Sequence, residues 1–415
     1  MTSRDRILKA LDHKEADRVP IDIGAMRSTG ISAIAYNRLT SALGLEEGPC
    51  HMYDFQQQLA YPSKAVRDRF RVDAIDAGQA FLLEETDWRD WPLNDGSSCR
   101  VPAYLDLEID NKGNMFLKGK DGRVLGQKPA SSLYTDQAYW PWRDLPGIPD
   151  PILTEDLSRN MWAIPCPPFH IDWVNNESDF RNFIQKIKHL HDTTDYAIMI
   201  SIGHNLFEQG TFLRGIENFL VDIYTDPLAV ERFVDKLVEG YMPKLEKILN
   251  GVKDYVDIIQ FGDDLGTSDG PWMAPEILRK IFIPRYRRMW NYVHENSRCK
   301  VFLHSCGSVY DLLPDLIDAG IDILNPVQTT SRNMEPERLK KEFGHDLTFW
   351  GGGCNTRDIL AQGTPEQVRE DVRRRMEIFA RDGGFVFNQI HNVLADVSVE
   401  NIIAMYDAAF EFGSY

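Results

Sequence analysis

Eight short apolar segments recur along the chain, and their regular alternation with helical stretches restricts the fold more than any other feature. They are 19–24 (VPIDIG), 72–78 (VDAIDAG), 196–203 (YAIMISIG), 257–262 (DIIQFG), 300–304 (KVFLH), 321–326 (IDILNP), 347–352 (LTFWGG) and 384–389 (GFVFNQ). Amphipathic, charge-rich stretches lie between most of them, as in 226–249, 274–296 and 364–381, and 398–412 reads as a closing helix. The TPEQ at 364–367 has the spacing of a capping box. Strands that are apolar on both faces and alternate with helices require a parallel sheet covered on both sides. Neither a G-x-G-x-x-G nor a P-loop occurs, which disfavours an open nucleotide-binding sheet. The expectation is a single (β/α)8, or TIM, barrel spanning 1–415.

One unit breaks the rhythm. The stretch 79–195 is far longer than a strand–helix connection needs. Inside it, 105–126 reads as strand, DNKGN turn, strand, KDGR turn, strand, an antiparallel meander. Trp88, Trp91, Tyr134, Tyr139, Trp140 and Trp142 surround it. Loops that follow barrel strands all open on one face, so an aromatic-rich insertion after the second strand can roof that face, or form its own small core. The chain is therefore one domain with an inserted cap at 79–195.

The net charge of −17 repels phosphate backbones and anionic lipid, so nucleic acid and membrane are excluded as expected partners. No apolar run approaches the roughly 20 residues of a membrane span, and the opening MTSRDRILKALDHKEADRVP has no signal-peptide apolar core. A cytoplasmic protein is expected. Its six cysteines, at 50, 99, 166, 299, 306 and 354, then point to metal ligation or burial rather than disulfides.

Three of the candidate ligands converge. His304 ends the fifth strand, Cys306 follows it, and Cys354 follows the seventh, in a Gly351-Gly352-Gly353 approach that lets backbone come close. All three would emerge at the C-terminal rim, where barrel enzymes keep their chemistry. One imidazole and two thiolates are ligands suited to tetrahedral zinc, and three protein ligands leave a position open, as in catalytic sites. The other four cysteines lack such company and read as structural.

Further rim residues are candidates. Asp263 and Asp264 follow the fourth strand and would bind a substrate cation, orient a water or complete the metal shell, or else cap a helix. His391 and Asn392 follow the eighth strand, and His204 the third. Each histidine is a candidate general acid, substrate ligand or partner of a metal ligand, or a solvated loop residue. Arg27, beyond the first strand, is a candidate grip for a substrate anion.

Four segments carry a family resemblance. They are RDRILKALDHKEADRVPIDIG, GDDLGTSDGPWMAPEILRKIFIPRYRRM, LHSCGSVYDLLPDLIDAGIDILNPVQ, and WGGGCNTRDILAQGTPEQVREDVRRR with the later GGFVFNQIHNV. The chain resembles uroporphyrinogen decarboxylase-like proteins over nearly its whole length except the aromatic insertion, which implies a (β/α)8 barrel. Uroporphyrinogen decarboxylases themselves use no metal and carry an Arg-Gln-Ala-Gly-Arg-Tyr segment after the first strand. Here that place reads Ala25-Met26-Arg27-Ser28-Thr29-Gly30. The other branch of the resemblance, zinc methyltransferases that work with corrinoid proteins, has a His-x-Cys…Cys ligand pattern that His304, Cys306 and Cys354 match.

The resemblance thus implies a zinc-dependent methyltransferase. It would move a methyl group between a small methylated donor, such as a methoxyaromatic, or a thiol acceptor, and a cobalamin-type corrinoid on a separate protein. No Asp-x-His-x-x-Gly segment occurs in the chain, so the cobalt is expected on that partner. Asp263, Asp264 and His391 are the expected catalytic groups; Arg27, His204 and Asn392 the expected substrate contacts; a homodimer is compatible with this reading. The alternative is a metal-independent decarboxylase of a porphyrinogen or other polycarboxylate. A non-catalytic metal-binding barrel with four saturated ligands is a third reading.

Overall fold

The computed structural model describes residues 1–45 and 47–415. Its centre is a curled, all-parallel sheet of seven strands. They run Ala74–Asp76, Ala197–Gly203, Ile258–Gly262, Lys300–His304, Ile323–Asn325, Thr348–Trp350 and Phe385–Val386, each pairing with the next in chain order. These fall within seven of the eight expected segments. The remaining one, 19–24, forms no strand. Ile21 alone bridges Val72 on one edge of the sheet and Phe387 on the other, both in parallel. Pro20 has no N–H to extend the ladder, and Asp22 turns the chain away by accepting the Ala25 N–H at 2.8 Å. The backbone bonds Asp73 N–H to Ile21 O, Asp22 N–H to Phe387 O and Phe387 N–H to Pro20 O, at 2.8–2.9 Å, span both edges.

The strand residues sort by parity, as side chains that alternate across a sheet must. Ile198, Ile200, Ile259, Phe261, Val301, Leu303, Phe349 and Phe385 pack outward with helix residues such as Val234, Trp290 and Val372. Ala74, Ala197, Met199, Ile258, Phe302, Ile323, Trp350 and Val386 form a separate inner cluster, joined by Ile7, Ala10 and Leu11 of the helix Ser3–Leu11. That helix plugs the end where strands begin: Gly384 N–H and the Thr348 hydroxyl both donate to Ala10 O. His304 is in phase with Phe302, so it belongs to the inner set at the opposite, C-terminal end.

The helices follow their sequence signals. Thr364 and Gln367 form the expected capping box of Pro365–Phe379. The stretch 274–296 is less regular than expected, because Leu278–Phe282 is wound as a π-turn before Ile283–Asn296. Pro284 offers no N–H to Lys280 O, which instead receives Arg285 Nη1 at 3.5 Å. No helix among the described residues is long and apolar enough to cross a membrane.

Two antiparallel sheets lie outside the curled sheet. Asp106–Ile109, Met115–Lys118, Val124–Lys128 and Asp136–Gln137 form the expected meander, extended by one strand. The second sheet joins Trp88–Pro92 and Ser98–Pro102 to Cys50–Asp54, Leu59–Ala60 and Ile31–Ser32. The antiparallel layer therefore draws on residues 31–60 as well as on the stretch after the second expected strand. Its aromatics divide: Trp88, Trp91 and Trp142 are buried core residues, Trp142 edge-on to Phe233 at 5.5 Å, whereas Tyr134 reaches the rim.

Candidate metal centre

Sheet register sets up the centre. His304 is paired across the ladder with Gly262 on one side and Asn325 on the other. The buried Asn325 Nδ2 donates to Trp350 O at 2.8 Å, which turns its Oδ1 toward His304 Nδ1 at 2.7 Å. Nδ1 must then be the protonated nitrogen, leaving the Nε2 lone pair free. Nε2 lies 3.4 Å from Cys306 Sγ and 3.6 Å from Asp264 Oδ1. Asp264 Oδ1 also accepts the Cys306 N–H at 2.8 Å, tying the loops after two neighbouring strands together.

His391 completes the cluster. Ligand atoms of His304, Cys306 and His391 lie within 4.8 Å of one another, and the two imidazoles meet edge-on at 5.7 Å. Tyr134 brings its hydroxyl to 3.5 Å from His391 Nδ1. Burial, with His304 beside it, pushes the His391 imidazole down to about 3, so it is neutral. Burial and then Asp264 and Glu208 raise the Cys306 thiol well above its usual value. Two imidazoles and a thiol beside carboxylates form a soft donor set, and a divalent cation there would reverse the pressure on the thiol. The residues fit a zinc-type ion.

Cys354 does not join them here. Its Sγ is fully buried, sits 4.0 Å from Asn355 O, and has Asp371 and Arg375 of the following helix as its charged neighbours. Gly351 and Gly352 in the loop before it hold φ of +100° and +77°. A Cβ on Gly352 would come within 2.8 Å of Val327 Cβ, so the close approach read from the three glycines is real.

The other expected site residues occupy distinct roles. Asp263 accepts the N–H groups of Leu206, Phe207 and Glu208 at 2.7–2.8 Å and the Tyr286 hydroxyl at 2.5 Å. It caps the helix Phe207–Arg214, and its oxygens are spent on that work. Asn392 is likewise committed: Oδ1 accepts the Gly30 N–H and Nδ2 donates to Gln57, both at 2.8 Å. His204 holds a positive φ of 53° and stacks on Tyr241 with ring centroids 4.4 Å apart; its buried Nδ1 has no partner among the described residues.

Arg27 sits in a second polar cluster under the antiparallel layer. Its Nε donates to Asp54 at 2.5 Å, its guanidinium lies 5.5 Å from the Trp162 ring, and its buried Nη2 has no acceptor among the described residues. The Tyr53 and Tyr61 hydroxyls are also buried without partners, on rings stacked at 3.9 Å. Asp76 is buried nearby, where burial pushes its carboxyl up to about 7.

Glu208 is the residue that sequence reasoning missed. It takes the Asn205 amide at 2.6 Å, and burial with Asp264 and Asp263 as neighbours raises its carboxyl well above the usual range. Its signal was its place four residues after His204, in the rim loop HNLFE.

Comparison with known proteins agrees with the fold. Residues 207–412 match the family model described as Uroporphyrinogen decarboxylase (URO-D). The chain is similar to uroporphyrinogen decarboxylases of Methylococcus capsulatus, 25% identical over 46% of this chain and 51% of that one, and of Actinobacillus succinogenes, 24% identical over 46% and 50%. It thus spans about half the length of these curated relatives. A solved structure of a methyltransferase from Methanosarcina mazei shares the fold, with a TM-score of 0.58 over 99% of both chains at 14% identity. Residues 207–412, which carry His304, Cys306, Cys354 and His391, thus form a uroporphyrinogen decarboxylase (URO-D) family domain within the chain.

Proposed function

We propose that the chain is a zinc-dependent methyltransferase on a closed (β/α)8 barrel, with 79–195 as the main part of its cap. It moves a methyl group between a small methylated substrate and the corrinoid of a separate protein. The observation that carries this reading is the His304–Cys306–His391 cluster, whose ligand atoms lie within 4.8 Å of one another and whose His304 tautomer leaves Nε2 free. His304 and Cys306 would hold the ion, with Cys354 as third ligand once its thiol, here beside Asp371, turns toward the rim, and His391 alongside them. Bound zinc supplies Lewis acidity, which weakens a methyl–oxygen bond or acidifies a thiol. Around it the chain's own groups position the substrate: Tyr134 roofs the cluster, Asp264 holds the Cys306 backbone, and Arg27 faces the substrate from the cap side.

A second reading, metal-free decarboxylation of a polycarboxylate, is favoured by the relatives' names and by the unpaired donors of Arg27, Tyr53 and Tyr61. Metal analysis of purified wild type beside Cys306→Ala and Cys354→Ala separates the two. About one zinc per chain, lost in both variants, supports the methyltransferase and justifies assaying methoxyaromatics and thiols with a corrinoid protein. Metal-free wild type would return the decarboxylase to first place.

A further inference from the structure

Away from the metal centre, a cavity of 190 Å³ opens where the meander meets the second antiparallel sheet and the loop after the last strand. Leu93, Ala33, Ile34, Ala130, Leu133 and Ala395 supply most of its wall. Lys128, at the end of the strand Val124–Lys128, lines it while only 4% exposed. Its ammonium donates to Asn94 Oδ1 at 2.9 Å and forms no ion pair among the described residues. The other charged lining residue, Asp95, is already engaged by Arg38 Nη2 at 3.3 Å and by the Ser97 N–H and hydroxyl at 3.1 and 2.7 Å. Lys128 is thus the uncompensated charge of the cavity. An ammonium taken out of water without a counter-charge is expensive, and burial lowers the pKa of this one. Ala33 and Ile34 add the first turn of the helix Ala33–Ala42, whose N-terminal end favours negative charge.

We propose that this cavity binds a small organic carboxylate, its anionic end on Lys128 and its apolar body against Leu93, Ile34 and Leu133. The size agrees: an apolar cavity of about 150 Å³ accepts benzene, and this one is somewhat larger. A bare phosphate would satisfy the lysine but leave the apolar wall empty. The site stands independently of the metal-centre reading.

Calorimetric titration of the full chain with benzoate, benzamide and phosphate tests it, on wild type, Lys128→Met, Ala130→Phe and Arg27→Met. Benzoate is expected to bind saturably at one site, at least tenfold more tightly than benzamide or phosphate. Lys128→Met is expected to weaken it at least tenfold. Ala130→Phe, which keeps the charge but fills the cavity mouth, is expected to do the same, and Arg27→Met to leave it unchanged. Lys128→Met should also melt at a higher temperature than wild type without ligand, since it removes a buried unpaired charge. The proposal is overturned by absent benzoate binding, by unchanged binding in Lys128→Met, by loss in Arg27→Met instead, or by phosphate binding as tightly as benzoate.

Discussion

Asn325 sets the protonation of His304: its Oδ1, 2.7 Å from Nδ1, permits only the tautomer that presents Nε2 toward Cys306. The amide is itself oriented by Trp350 O on the next strand, so three consecutive strands fix one lone pair. Groups that orient a metal-binding imidazole in this way contribute roughly 10–100-fold in affinity.

Asn325→Leu is therefore expected to weaken zinc binding by about that factor while leaving His304 and Cys306 in place. Competition with a chromogenic chelator measures it. Unchanged affinity would mean that His304 does not bind metal through Nε2.

Asp263→Ala is expected to act on stability rather than on the centre. Three backbone N–H groups and the Tyr286 hydroxyl lose their acceptor in a buried place, and orphaned donors plus a lost cap cost about 3 kcal/mol or more. Denaturant titration should show that loss. Zinc per folded chain should match wild type, an outcome that a metal-ligating Asp263 would not give.

Asp76 imposes a pH dependence on folding. Burial raises its carboxyl from 3.8 to about 7, against the opposing pull of the Gly78 N–H and Arg27. The folded chain keeps this proton where the unfolded chain has released it, so stability falls as pH rises from about 4 to about 7 and then levels. Asp76→Asn should flatten that slope by up to roughly 1.4 kcal/mol per pH unit. Melting temperatures across this range, wild type against variant, test it; parallel curves would show that Asp76 ionises normally.

What the sequence revealed and what it hid divide along physical lines. Strand periodicity and strand-end placement were enough to bring His304 and Cys306 to one rim, because register in a parallel sheet follows from the alternation itself. The same logic placed Cys354 at that rim, yet it cannot say which way a loop side chain turns, and here the thiol faces Asp371. Asp263 and Asp264 were indistinguishable as neighbours in sequence. Only the third dimension shows one spent on a helix cap and the other beside the imidazole. The strands in 31–60 escaped notice because they are two to five residues long and carry polar residues such as His51 and Asp54. The 19–24 segment had the composition of a strand but Pro20 and the Asp22 turn leave it a single bridging residue.

That single residue has a consequence for the order in which the molecule is built. Ile21 meets Val72 after some fifty residues of chain, but its other neighbour, Phe387, is made more than three hundred and sixty residues later. During synthesis the first edge can form early, whereas the last seam must wait for nearly the whole polypeptide, the most distant pairing the sheet contains. His391 lies four residues beyond that seam and Asn392 ties the same region back to Gly30. The rim cluster of His304, Cys306 and His391 is therefore complete only when the two ends of the chain have found each other, and a chain truncated before the seam lacks its second imidazole.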